Sequence, residues 1–202
     1  MVDQAQKNHY HQIRMQRKKA QIDAAIARAN HEKGLLLVIT GNGKGKSTSA
    51  FGMVARALGH GKKVGVCQFI KNRTDTGEEA FFKTQPNCEW HVLGDGFTWE
   101  TQNRAQDIAT SEHAWNVATQ MLTDPGYDLV VLDELTYLLS YDYLDKELVL
   151  NTISERPEMQ HVVVTGRSAI AELREMADTV SEIKDEKHAY KSGIKAQPGF
   201  DF

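Results

Sequence analysis

The stretch Thr40-Gly41-Asn42-Gly43-Lys44-Gly45-Lys46-Ser47-Thr48 constrains this chain more than any other. It follows an apolar run, Leu35 to Ile39, with the length and β-branched content of a buried parallel strand. Ser49 to Leu58 follows with the composition of a helix. A strand, a glycine-rich turn and a helix opening on Gly-Lys-Ser form the context in which a P-loop match becomes a site. The glycines let successive N–H groups curl around phosphate oxygens, and the helix N-terminus adds partial positive charge. Lys46 offers a full charge to the phosphate chain, and the Ser47 hydroxyl a ligand for Mg²⁺. The loop is one residue short of the usual spacing. Gly41 and Gly45 enclose three residues where the motif has four, so Thr40 stands in the place of the first glycine. That side chain and the extra Lys44 predict a changed wrap around a triphosphate. A ligand-free turn would need neither the three glycines nor the two lysines. Gly41, Asn42, Gly43, Lys44, Gly45, Lys46, Ser47 and Thr48 are therefore expected to bind nucleotide.

Length and charge set the bounds. A chain of 202 residues, 41% hydrophobic and 25% charged, has the size and composition of one globular domain. No apolar run approaches membrane-spanning length, and the N-terminus lacks a signal-peptide core. The net charge of −3 gives no bulk electrostatic reason to bind nucleic acid. Cys67 and Cys88 are too far apart for a local metal knuckle, and each lies in a strand-like run. They are expected as buried thiols in a cytoplasmic protein.

Residues 1–33 form a polar, basic leader containing Arg14, Arg17, Lys18 and Lys19. Met15, Ile22, Ile26 and Ala29 recur at helical spacing in a thin stripe, so the leader reads as a solvated helical arm, or as a helix that folds over the site. Residues 34–202 read as the main domain. Gly59-His60-Gly61 ends the P-loop helix with glycine cap chemistry. Strands are expected at Lys63–Ile70, Cys88–Leu93, Leu129–Leu132, His161–Thr165 and Thr179–Ile183. Helices are expected at about 78–83, 103–123, 134–140 and 169–177, and an irregular tail from His188. This alternation predicts a three-layer α/β domain with a mainly parallel sheet, of the P-loop NTPase-like, RecA-like kind.

Two further strings carry chemistry. Leu129-Val130-Val131-Leu132-Asp133-Glu134 is an apolar strand ending in two carboxylates, the form of the acidic motif that completes a P-loop Mg²⁺ site. Such a pair also suits the first turn of a helix; beside a P-loop, the metal role of Ser47, Asp133 and Glu134 takes precedence. Gly96-Phe97-Thr98-Trp99 places two large aromatics one residue apart in a glycine-flanked loop. They would serve as an anchor for the loop or as a flat platform for a planar ligand such as a nucleobase, flavin or corrin.

Together these residues resemble the P-loop type of ATP:corrinoid adenosyltransferase, the cob(I)alamin adenosyltransferase of bacterial cobalamin synthesis and salvage. The resemblance rests on Thr40–Thr48, on Gly96-Phe97-Thr98-Trp99-Glu100-Thr101-Gln102-Asn103 and on Val131-Leu132-Asp133-Glu134-Leu135-Thr136-Tyr137. It continues through Thr165-Gly166-Arg167, Ala177–Glu182, Lys187-His188 and Gly193–Gln197, covering nearly the whole chain outside the arm. It implies transfer of the 5′-deoxyadenosyl group of ATP to Co(I), with release of triphosphate and with ATP reversed relative to ordinary P-loop enzymes. In the roles it implies, Lys46, Ser47 and Glu134 act on the departing triphosphate. Phe97 and Trp99 would contact the corrinoid and displace its lower axial ligand. It further implies ATP and Mg²⁺ as co-substrate and cofactor, a homodimer, and a reduced flavodoxin-like electron donor. The basic arm and Arg167 are candidates to meet that acidic donor. Two rivals use the same loop: a small-molecule kinase, whose arginine-bearing lid is not recognisable here, and a RecA-like ATPase using Glu134 to activate water.

Overall fold

The computed structural model of the chain describes residues 4–71, 75–94 and 103–202. These fall into two units, one reaching to Lys33 and the other spanning Gly34–Phe202. The first contains a single helix, α1 (Gln4–Arg28), in which Lys19 pairs with Asp23 one turn on at 2.6 Å. Its apolar residues Tyr10, Met15, Ile22 and Ile26 are exposed. Within this unit, helix-forming side chains and such pairs, rather than a buried face, favour the helix.

The second unit is built on six strands: β1 (Leu36–Thr40), β2 (Val64–Gln68), β3 (Cys88–Val92), β4 (Leu129–Asp133), β5 (His161–Thr165) and β6 (Thr179–Glu182). Their order is β3-β2-β4-β5-β1-β6, and every neighbouring pair is parallel. Parallel pairing requires crossovers. These run through α2 (Lys46–Gly59), α3 (Gly77–Phe82), α4 (Arg104–Thr123), α5 (Leu135–Ser140), α6 (Lys146–Ser154) and α7 (Ala171–Met176).

Alternation along the central strands divides the core in two. Val130 and Leu132 of β4, with Val162 and Val164 of β5, join Trp115, Ala118 and Leu122 of α4 and Leu135 and Leu138 of α5. Leu129, Val131 and Val163 face the other way, against Ala50, Phe51 and Val54 of α2. Both faces of the sheet are therefore covered, which is why β4 reads as an uninterrupted apolar run. The three-layer α/β architecture expected from the alternation is the one found. α2 ends as its glycines predict: Gly61, at φ 72°, donates its N–H to Leu58, and Lys62 donates to Ala57.

Two expectations need correction. Helix α6 was not foreseen; Asp145 caps it by accepting from the Leu148 N–H, and it buries Val149 and Ile153. Cys67 is buried as expected, but Cys88 is only half-buried because β3 is an edge strand with one flank open.

Candidate active site

The carboxyl ends of the parallel strands share one edge of the sheet, and the P-loop leaves β1 there. Its glycines answer a steric demand. Gly41 and Gly45 lie at φ 97° and 117°, a region closed to most side chains. A Cβ on Gly43 would lie 2.4 Å from the Lys184 carbonyl oxygen, and the Gly43 N–H donates to Ile183. The loop thus lies flat on residues 183–184, just past β6. Helix α2 begins at Gly45 without a side-chain cap, leaving its first amides free of any capping side chain. Thr40, the residue in the first glycine's place, is buried, and its Oγ1 accepts from the Ala169 N–H at 3.2 Å. Its side chain belongs to the sheet edge, not to the loop.

Lys46 is buried, and its Nζ donates to the Gly43 carbonyl at 2.8 Å. Burial, and to a lesser degree Arg167, lowers its pKa, while Glu134 and Asp133 pull the other way. Such an ammonium is preorganised and poorly solvated, ready for an anion. Lys44 is largely exposed; it pairs with Asp201 at 2.9 Å and lies 5.7 Å from the centre of the Phe200 ring.

The acidic pair occupies the end of β4, with β5 between it and β1. Asp133 is fully buried. Its Oδ1 accepts from Thr165 at 2.6 Å, and its Oδ2 from Gln68 at 3.0 Å and Lys71 at 2.9 Å. Burial opposes its charge, but Lys71 and these hydrogen bonds outweigh it and hold the carboxyl below the usual range. Glu134 adopts a left-handed backbone, φ 68°, and its N–H donates to the same Thr165 hydroxyl. Its Oε2 is buried without a hydrogen-bond partner among the described residues. Burial first and the Asp133 charge second push its pKa up to about 7.

Lys44, Lys46 and Glu134 line one cleft of about 610 Å³, which also takes in Ser47, Thr48, Lys71, Arg167, His188 and Asp201, and Asp133 lies buried beneath it, behind Lys71 and Gln68. Lys71, Gln68 and Thr165 were not anticipated. Lys71 follows β2 and Thr165 ends β5, the strands on either side of β4, at the sheet edge that attracts ligands, but only the strand order reveals which carboxylate they meet. Phe97 and Trp99 lie outside the described residues.

The donor set fits Mg²⁺. This ion takes oxygen ligands, one or two of them carboxylates, and completes its shell with phosphate oxygens and water. The Ser47 hydroxyl and the carboxylates of Asp133 and Glu134, the latter with an orphaned oxygen, answer that need. A cage of three His, Cys, Asp or Glu side chains is not found among the described residues.

Comparison with known proteins identifies the family. The family described as ATP:corrinoid adenosyltransferase BtuR/CobO/CobP matches residues 32–202. Similar chains include the corrinoid adenosyltransferase of Pseudomonas aeruginosa, 59% identical over 203 residues and covering all of both chains. That of Escherichia coli K12 is 49% identical over 95% of this chain and 97% of its own. The corrinoid adenosyltransferase CobA of Salmonella typhimurium is 48% identical over the same shares. With the P-loop, the acidic pair and the intervening strand all inside the matched region, the chain belongs to the ATP:corrinoid adenosyltransferase family.

Proposed function

We propose that this protein transfers the 5′-deoxyadenosyl group of ATP to the Co(I) centre of a corrinoid and releases inorganic triphosphate. The observation that carries this reading is the gathering of Lys46, Lys71 and Arg167 around the shortened P-loop, in a chain of this family. Three cations and a row of loop amides suit a departing triphosphate better than a single transferred phosphoryl group.

The electron pair of Co(I) attacks C5′, and the C5′–oxygen bond breaks with its pair leaving on the triphosphate. A cobalt–carbon bond forms, and cobalt is formally oxidised by two electrons. No side chain acts as nucleophile; the protein positions two substrates and stabilises charge. Lys46 and the amides of residues 41–48 would hold the triphosphate as negative charge grows on it. Ser47 with Asp133 or Glu134 would hold Mg²⁺, which when bound neutralises phosphate charge. Phe97 and Trp99 would displace the lower axial ligand of the Co(II) corrinoid, leaving a four-coordinate cobalt that is easier to reduce to Co(I).

The finer assignments follow the same reading. Arg14, Arg17 and Lys18 are exposed on α1, a surface suited to an acidic, flavodoxin-like electron donor. A homodimer is what the family resemblance implies. We assign the arm, residues 1–33, and the adenosyltransferase domain, residues 34–202, as separate parts. No helix among the described residues is long and apolar enough to cross a membrane, and we assign the protein to the cytoplasm. The test is direct: with ATP, Mg²⁺ and chemically reduced cobalamin under anaerobic conditions, a light-sensitive cobalt–carbon absorption should grow at a rate set by enzyme concentration. Absence of that band with folded enzyme would overturn the proposal.

A further inference from the structure

One cation in the cleft has a specific placement that charge neutralisation alone does not explain. Lys71 follows β2, and its Nζ lies 2.9 Å from Asp133 Oδ2 and 3.4 Å from Ser47 Oγ. It also sits 5.6 Å from the centre of the Phe51 ring. The ammonium therefore occupies the point where the P-loop hydroxyl and the buried carboxylate converge, the two oxygens between which a P-loop metal is held.

Asp133 is not free to serve two cations at once. Thr165 holds one oxygen, while Gln68 and Lys71 share the other. Gln68 is itself fixed, because its Oε1 accepts from the Trp90 indole at 3.1 Å. Asp133 and Gln68 are both almost wholly buried. A carboxylate in such a place keeps its charge only with a cation beside it. Lysine suits a temporary occupant: one compact charge on a flexible four-carbon stem, able to turn where a planar guanidinium would resist.

We propose that Lys71 and a divalent cation are mutually exclusive occupants of the gap between Ser47 Oγ and Asp133 Oδ2. A free metal ion must expel the ammonium from its buried partner and leave it poorly paired. A metal ion arriving with a triphosphate brings the ammonium a new anionic partner, since Lys71 lines the same cleft as the P-loop. Metal entry is thereby coupled to nucleotide entry. This rests on the nucleotide-site reading above but not on adenosyl transfer.

The test is Mn²⁺ binding followed by electron paramagnetic resonance, in the whole protein, with and without inorganic tripolyphosphate. Wild type should bind free Mn²⁺ weakly, and Lys71→Met at least about ten-fold more tightly, by the factor that 1.4 kcal/mol confers. Tripolyphosphate should raise the Mn²⁺ affinity of wild type more than that of Lys71→Met. Equal free-Mn²⁺ affinities in the two proteins would overturn the proposal. If Lys71→Met does not fold, wild type carries the test through the acylation rate of each lysine, read by peptide mass spectrometry. With 20 mM Mn²⁺ alone, Lys71 should react several-fold faster as it is displaced; an unchanged rate would overturn the proposal. Tripolyphosphate that fails to bind at all would instead overturn the nucleotide-site reading.

Discussion

Replacing Glu134 by glutamine should make the protein progressively more stable than wild type as pH rises. Glu134 sits in a left-handed backbone between β4 and α5, with Oε2 buried and unpartnered among the described residues. Burial and the adjacent Asp133 raise its pKa from 4.5 to about 7. A folded-state pKa above the unfolded value means that the fold favours the protonated form. That contribution is fully present below about pH 4.5 and is lost as pH rises through 7. A rise of about 2.5 pH units at 1.36 kcal/mol each corresponds to about 3 kcal/mol. Glutamine has the shape of the neutral acid and does not titrate. The stability of Glu134→Gln minus that of wild type should therefore grow by about 3 kcal/mol between pH 4.5 and 8 and level off above. Urea unfolding of both proteins at each pH measures it: groups remote from Glu134 are shared and cancel in the difference, and its coupled neighbour Asp133, held below the usual carboxylate range, stays ionised across this window. Adding Mg²⁺ and ATP to wild type should lower the Glu134 pKa and flatten the curve above pH 6. A difference that is constant with pH, or that shrinks as pH rises, would refute the reasoning.

Lys46→Met removes the buried ammonium at the triphosphate and should lower kcat/KM by about 10²–10³ with the circular dichroism spectrum unchanged. Gly43→Ala sets a Cβ 2.4 Å from the Lys184 oxygen; it should reduce stability by about 1–3 kcal/mol in urea unfolding and weaken ATP binding seen by calorimetry. Trp99→Ala should retain activity with chemically pre-reduced Co(I) and lose it in the reductase-coupled assay, and equal loss in both would exclude the axial-ligand role.

The parts legible in the sequence were those written in contiguous residues. β1 and β4 are unbroken apolar runs because both of their faces are buried; Thr40-Gly41 and Asp133-Glu134 mark their ends, and Gly45-Lys46-Ser47 opens the helix that follows β1. Helix α6 escaped because Leu148, Val149, Leu150 and Ile153 form a short, partly β-branched run that periodicity does not separate from a strand; the Asp145 cap was the available signal. Thr165 and Lys71 escaped for a different reason. Their partner, Asp133, is distant in sequence and is reached only because β4 lies between β2 and β5. Thr40 was read correctly as a departure from the usual loop, but its consequence is a hydrogen bond to Ala169 across the sheet edge, a long-range contact no spacing encodes.

The central claim is that the P-loop holds a triphosphate that leaves intact. ³¹P NMR of a reaction with ATP, Mg²⁺ and chemically reduced cobalamin under anaerobic conditions tests it most directly. The account predicts inorganic triphosphate appearing in equal amount to a light-sensitive alkylcobalt product. ADP with orthophosphate, or ADP with a phosphorylated acceptor, would contradict it and show the loop working as in an ATPase or a kinase.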